Sequence, residues 1–288
     1  MRAAGWDQAL KHPLPPTHVT LTEVRDIAAE IWDEIASECH MRPDVDITVD
    51  MDMHEDGVLA ATRRTLILND QTWKPSVMFD YPRTDIEIHV NPNVPNGWHV
   101  GEACSGEWRY DLRTVMRHEL LHGAGLSSSI RPGHGAYQVG YNDGGNACYP
   151  TFYDTRLESR GVPVVEGCTY HPSGTDIYMA GRKIYAPAQY RGGSSFSHHA
   201  ESGLFQWQMS PTMCHNLGAA EFDMLEGLGY DCTVGFARSG QSTNRPALCT
   251  LLLILMASAT LSGVNPRASL SFSMAFLAFA CASLGLLS

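Results

Sequence analysis

The chain of 288 residues is long enough to form one large domain with its own hydrophobic core. Hydrophobic residues make up 44% of it and charged residues 18%, a balance that excludes a largely disordered protein. The formal net charge of −11 argues against nucleic-acid binding, because there is no surplus of lysine and arginine to neutralise phosphate groups. We therefore expect a globular protein with no nucleic-acid partner.

The N-terminal part of the chain is predicted to contain one helix and three strands. Apolar residues recur at helical spacing over residues 21–39, and a threonine can cap the start of that helix. Alternation of apolar and polar residues predicts strands at 45–53 and 85–90, and 65–68 is a third candidate. A second helix follows, so the order of elements predicts an α+β domain with a mixed twisted sheet close to that helix.

The C-terminal part of the domain carries weaker signals. Residues 126–195 are rich in glycine, proline, tyrosine and asparagine and are predicted to be mostly irregular. Short strands are predicted at 177–179 and 183–185, and a last helix at 219–228.

The strongest chemical signal is the pentapeptide His-Glu-Leu-Leu-His at residues 118–122, within a predicted helix that Asp111 can cap. Residues i and i+4 share one face of a helix, so His118 and His122 can direct both imidazoles at one metal ion. Glu119 follows the first ligand, where its carboxylate can act as general base toward a metal-bound water. The alternative is an amphipathic helix with two surface histidines. A zinc hydrolase is the interpretation that we prefer.

A catalytic zinc ion usually has three protein ligands, so a third must be found. In the short metzincin pattern, His-Glu-x-x-His-x-x-Gly-x-x-His, Gly125 matches the glycine but the last position falls on Ser128, a poor zinc ligand. His134, in a glycine-rich loop, is one alternative. A later segment offers another, because Ser197-His198-His199 is followed by the tripeptide Met209-Ser-Pro.

These segments together resemble the leishmanolysin-like metzincins, a family of zinc metallopeptidases with a long insertion before the third histidine. The resemblance covers residues 111–126 and 185–211 and, more weakly, 85–91. It implies a metzincin-like zincin fold and a Zn²⁺ ion held by three histidines. It also implies a methionine turn beneath the metal. The residues concerned are His118, His122 and His198 as ligands, Glu119 as the catalytic base and Met209 in the turn.

The sequence departs from the family pattern at the residue after His198 and in the region before Leu21. His199 stands where the family often has tryptophan, so His198 and His199 both remain candidates for the third ligand. No tyrosine lies two residues after Met209, so we assign no phenolic group to oxyanion stabilisation. A cysteine-bearing inhibitory segment is not visible before Leu21.

The cysteines indicate an oxidising compartment. Six lie in the globular part and match no Cys-x-x-Cys motif, which favours disulfides over a second metal site. Local spacing favours the pairs Cys148–Cys168 and Cys214–Cys232, which leaves Cys39–Cys104. The alternative is buried free thiols in a cytosolic enzyme.

The last 42 residues differ in kind from the rest, because Arg267 is their only charged side chain. Two apolar runs at 247–261 and 268–288 flank it, and the second is long enough to cross a bilayer. We therefore predict a catalytic domain at 1–238, a linker at 239–246 and, at 247–288, a membrane anchor or a cleaved anchor signal. The alternative is a buried C-terminal helix. An N-terminal secretory signal is not visible.

The function predicted from these features is that of a zinc-dependent endopeptidase. We expect a monomer at the extracellular face of the cell surface, acting on a peptide or protein substrate. The strand at 85–90 is predicted to lie at the edge of its sheet and to hold that substrate by main-chain pairing. One alternative is a membrane-anchored surface or adhesion protein with a structural or vestigial zinc site. Another is a cytosolic zinc hydrolase acting on small molecules.

Overall fold

The computed structural model describes residues 2–3, 7, 11, 14–15 and 17–232, apart from 105–106, 134–136, 146 and 172–175. Within this part of the chain lie three α-helices: α1 (Leu21–Glu38), α2 (Leu112–Gly123) and α3 (Ala219–Gly227). None of these helices is long and apolar enough to cross a membrane. The predicted linker at 239–246 and tail at 247–288 lie outside the described residues.

The described residues also form nineteen strands, most of them only two residues long. In chain order they are β1 (Arg2–Ala3), β2 (Ile47–Asp50), β3 (Ala60–Arg64), β4 (Leu66–Asn69), β5 (Thr72–Pro75), β6 (Ile86–Val90), β7 (Trp98–His99), β8 (Tyr110–Asp111), β9 (Arg131–Pro132), β10 (Tyr137–Gln138), β11 (Tyr141–Asn142), β12 (Cys148–Tyr149), β13 (Glu158–Ser159), β14 (Val162–Pro163), β15 (Val165–Glu166), β16 (Thr169–Tyr170), β17 (Ile177–Met179), β18 (Arg182–Ile184) and β19 (Gln208–Met209). The protein is therefore mixed α+β, as predicted.

The sheet nearest to α2 has three strands in the order β2-β6-β3. Strand β6 runs parallel to β2 and antiparallel to β3, so its main chain is paired on both sides. The prediction that residues 85–90 form a substrate-binding edge strand is therefore wrong, because a central strand has no hydrogen-bonding groups left for a substrate. Strands β2 and β3 occupy the two edges of this sheet.

The hydrophobic core lies between this sheet and helices α1 and α2. Helix α1 begins with a capping box between Thr20 and Glu23 and buries one apolar stripe at helical spacing. Ile86 of β6 is fully buried beneath α2. A Cβ atom on Gly123 would approach the Ile86 side chain to 2.6 Å, so glycine at this position lets the helix lie close against the sheet.

Between α2 and His198 the chain forms short antiparallel hairpins rather than a continuous sheet. Two four-stranded groups, β15-β16-β10-β9 and β14-β13-β17-β18, account for most of them. The predicted strand at 177–179 is confirmed as β17, and the one at 183–185 appears one residue earlier as β18. We refer to residues 126–197 as the insertion.

Three disulfides join distant parts of the described chain. They are Cys39–Cys232, Cys104–Cys214 and Cys148–Cys168. The prediction of Cys148–Cys168 is confirmed, but the pairs Cys214–Cys232 and Cys39–Cys104 are wrong. Local spacing favours short loops, whereas the fold brings together cysteines 193 and 110 residues apart.

Candidate metal centre

Helix α2 supplies two of the three side chains that converge at the candidate metal centre. Its first turn is capped by Asp111, whose carboxylate accepts a hydrogen bond from the Thr114 main-chain nitrogen at 2.7 Å. The chain leaves the helix at Gly125, where φ is +113°, a conformation that favours glycine. Between these limits His118 and His122 lie one turn apart and are buried.

The third side chain, His198, comes from the end of the insertion. Two main-chain hydrogen bonds attach its segment to the residue that follows β18: Tyr185 N donates to His198 O at 2.7 Å, and Phe196 N donates to Tyr185 O at 2.8 Å. On the other side, His199 N donates to Phe205 O at 2.9 Å. These bonds fix the main chain around His198, whose side chain is fully buried.

The three imidazoles point their Nε2 atoms at one another. His198 Nε2 lies 2.9 Å from His118 Nε2 and 3.2 Å from His122 Nε2. Among the described residues, these three are the only histidine, cysteine or acidic side chains whose ligand atoms converge in this way. The structure thus brings together all three residues that the sequence predicts as ligands.

Each imidazole has its other ring nitrogen against a main-chain carbonyl. Nδ1 lies 2.9 Å from Leu204 O in His118, 2.7 Å from Leu126 O in His122 and 2.9 Å from Ser194 O in His198. A carbonyl only accepts hydrogen bonds, so each Nδ1 carries the proton, and in a neutral ring Nε2 then carries the lone pair.

Burial keeps these rings neutral. It is the main cause that lowers the pKa of His122 to about 4 and the pKa values of His118 and His198 well below 6.5. The neighbouring imidazoles lower the pKa values of His118 and His198 further. The three Nε2 lone pairs face one another at about hydrogen-bond distance and repel one another. A cation bound between them would attract all three and remove this repulsion. The donor set therefore suits a metal ion.

The ring of Phe205 lies against all three imidazoles. Its centroid is 4.9 Å from those of His118 and His122 and 5.4 Å from that of His198. Phe205 was not predicted from the sequence, since an isolated phenylalanine carries no signal that distinguishes it from an ordinary core residue. Met209, expected in a turn beneath the metal, is buried, and its main chain belongs to β19.

Glu119 is almost fully buried beside the histidines and hydrogen-bonded to the sheet. The hydroxyl of Thr62 lies 2.7 Å from Glu119 Oε2 and 3.0 Å from Glu119 O. Thr62 belongs to β3, a strand that the sequence analysis missed. A run of Ala-Ala-Thr-Arg-Arg has no apolar alternation to indicate a strand.

Two other candidates for the third ligand, His199 and Ser128, are among the described residues, and neither belongs to the histidine cluster. His199 is buried outside the cluster, with its Nε2 against Met224 Sδ of α3. Burial, and to a lesser degree Arg182, lowers its pKa to about 4. The Ser128 main-chain nitrogen donates to Ser197 Oγ at 3.0 Å, so the residue at the short-pattern position anchors the segment that delivers His198. His134 lies outside the described residues.

No protein-family model, curated protein or solved structure matched the chain. The resemblance to leishmanolysin-like metzincins accordingly rests on the quoted sequence motifs.

Proposed function

We propose that the protein is a zinc-dependent endopeptidase with a metzincin-like catalytic domain of the leishmanolysin type. One observation carries the proposal: three buried, neutral imidazoles converge beside the buried carboxylate of Glu119. Structural zinc sites usually have four protein ligands, whereas catalytic sites have three and keep one position open. A set of three histidines with an adjacent carboxylate fits the second kind.

The distances between the ligand atoms suit zinc. Tetrahedral coordination at Zn–N distances near 2.05 Å separates two ligand nitrogens by about 3.3 Å. His198 Nε2 lies 2.9 and 3.2 Å from the other two Nε2 atoms, so small shifts suffice to admit the ion. Imidazole nitrogen is also a ligand type that zinc prefers.

The side chains around the cluster have distinct roles in peptide hydrolysis. Zinc bound to three neutral ligands would lower the pKa of a coordinated water and polarise a peptide carbonyl. Glu119 accepts the proton of the attacking water and returns it to the leaving amine. The edge strand β3, joined to Glu119 through Thr62, takes the substrate-holding role that the sequence analysis assigned to residues 85–90.

The disulfides support an extracellular setting for this activity. Cytosolic proteins rarely keep disulfides, and the described residues of this chain form three. We propose secretion to the outer face of the cell, where a membrane anchor at 247–288 would hold the enzyme as a monomer close to protein substrates.

The test compares Glu119→Gln with the wild-type chain, both loaded with zinc, on fluorescein-labelled casein. Loss of the general base should lower the cleavage rate by about a hundredfold or more, while one zinc per chain remains bound. Glu166→Gln, which alters an exposed carboxylate in β15, should match the wild type in both respects. Loss of zinc together with activity would show that Glu119 is a zinc ligand. Unchanged cleavage would rule out the proposed peptidase function.

A further inference from the structure

We infer that Thr62 is a positioning residue that holds the carboxylate of Glu119 in its working orientation, an inference that rests on the proposed peptidase function. The Thr62 hydroxyl lies within hydrogen-bond distance of both the side-chain and the main-chain oxygen of Glu119, at 2.7 and 3.0 Å. One short side chain therefore contacts the carboxylate and the helix backbone that carries it. A hydrogen bond to an ionised acceptor is of the stronger kind.

The position of Thr62 is fixed by the sheet. It lies in the middle of β3, opposite Ile88, in a strand whose five residues all pair with β6. Threonine is branched at Cβ, so few rotamers are open to its hydroxyl. Two residues along the strand, and so on the same face, Arg64 donates to Ser127 O at 2.9 Å just beyond the end of α2. Strand β3 is thus hydrogen-bonded both to α2, at Glu119, and to the segment just beyond it, at Ser127.

The orientation of Glu119 matters because a general base must meet the proton that it accepts at hydrogen-bond distance. A glutamate side chain has three rotatable bonds, and burial alone does not select the direction of its oxygens. Without the hydroxyl, the carboxylate would spend part of its time turned away from the attacking water. The loss would appear in kcat, whereas contacts between a substrate main chain and β3, which set KM, would remain.

Thr62→Val tests this inference, since valine has nearly the shape of threonine and carries a methyl group in place of the hydroxyl. With a quenched-fluorescence peptide selected on the wild type, kcat should fall about tenfold or more with KM within about twofold. Thr48→Val, the same change in β2 of the same sheet, should match the wild type. Thr62→Ser keeps a hydroxyl and should retain most of the activity, whereas Thr62→Ala should resemble Thr62→Val. If the Val variant does not fold, the comparison of Thr62→Ser with Thr62→Ala tests the inference, because both lack the methyl group and only the Ser variant keeps a hydroxyl.

Binding without turnover provides a second measurement. Acetohydroxamate added to the zinc-loaded protein can give a proton to Glu119, so calorimetry should show weaker binding in Thr62→Val than in Thr48→Val at equal zinc content. If the wild type is active and the Thr62→Val variant keeps full kcat and full hydroxamate affinity, the inference about Thr62 is wrong and the proposed function stands. A wild type that cleaves no peptide would overturn the proposed function and this inference with it.

Discussion

The main-chain carbonyls that meet the three ligand histidines determine which ring nitrogens are free for a metal. The three carbonyls lie at separate points along the chain: Leu126 shortly after α2, Ser194 shortly before His198 and Leu204 shortly before β19. The backbone at the three positions therefore selects the tautomer that the site needs. Such outer contacts orient a ligand and raise its basicity toward the ion.

The buried histidines should make the metal-free protein sensitive to acid. The pKa values of His122 and His199 are lowered to about 4 in the folded chain, against an ordinary value of 6.5 that applies when the chain unfolds. Between pH 6.5 and 4 the unfolded chain therefore binds protons that the folded chain does not. The free energy of unfolding should fall as the pH decreases through this window, by about 1.4 kcal/mol per pH unit for each such histidine.

Urea denaturation of the metal-free protein at pH 7, 6 and 5 measures this slope. His199→Gln removes one titrating group and leaves the three clustered histidines unchanged. The free energy of unfolding of this variant should therefore vary less steeply with pH, by the contribution of one histidine. A free energy of unfolding that stays constant from pH 7 to pH 5 would contradict the expected burial of these rings.

The residues of the candidate site differ in how far the sequence could reveal them. His118, Glu119 and His122 follow from spacing on one helix, which is local information. His198 follows from the Ser-His pair and the Met-Ser-Pro tripeptide, through resemblance to a family. Phe205 and Thr62 could not be predicted in this way, because only tertiary packing brings their side chains to the cluster.

At the scale of the elements, the alternation of apolar and polar residues predicted some of the strands but not how the strands are arranged. Alternation identified the regions of β2 and β6 correctly. It also led to the wrong edge assignment, because a strand that alternates is half-buried whether it lies at the centre or at the border of a sheet. The neighbours of β6 are separated from it along the chain, so its pairing depends on loops that carry no periodic signal.

The first residues of the insertion, which follow α2, are joined to its interior through the buried carboxylate of Asp154. This group accepts hydrogen bonds from Ser128 Oγ at 2.6 Å and Thr151 Oγ1 at 2.7 Å, and from both the main-chain nitrogen and the hydroxyl of Ser129. Asp154→Ala would leave several buried donors without an acceptor. We expect the free energy of unfolding to fall by about 3 kcal/mol.

Asp143→Ala is the matched control for this change, since Asp143 is exposed and accepts one turn hydrogen bond from Gly145. It should cost less than about 1 kcal/mol. Chemical denaturation of both variants measures the difference. Equal stability of the two variants would mean that Asp154 does not hold the insertion in place.

At the scale of the whole molecule, the disulfides differ in the length of chain that they enclose. Cys39–Cys232 spans 193 residues and joins the end of α1 to the end of the described chain, whereas Cys148–Cys168 spans 20 residues inside the insertion. A longer loop loses more conformational freedom in the unfolded state when it is closed. Replacing the long-range pair by alanines should therefore lower the free energy of unfolding by about 2 kcal/mol more than replacing the short one.

Denaturation of the two double variants under the same conditions tests this order. The change from cysteine to alanine is the same in both, so the difference reflects the position of the crosslink and the packing around it. A larger loss from removing Cys148–Cys168 would show that the insertion, rather than the long-range link between Cys39 and Cys232, limits stability.

The separation of the second and third ligands along the chain has a consequence for biosynthesis. His198 follows His122 by 76 residues, and the segment that carries it is held by Ser128 on one side and by Phe205 on the other. During translation the two histidines of α2 leave the ribosome long before His198, and a pair of imidazoles alone exchanges its ion readily. A metal ion bound by all three histidines would therefore be captured only after the hairpins between His122 and His198 have folded, late in the maturation of the chain.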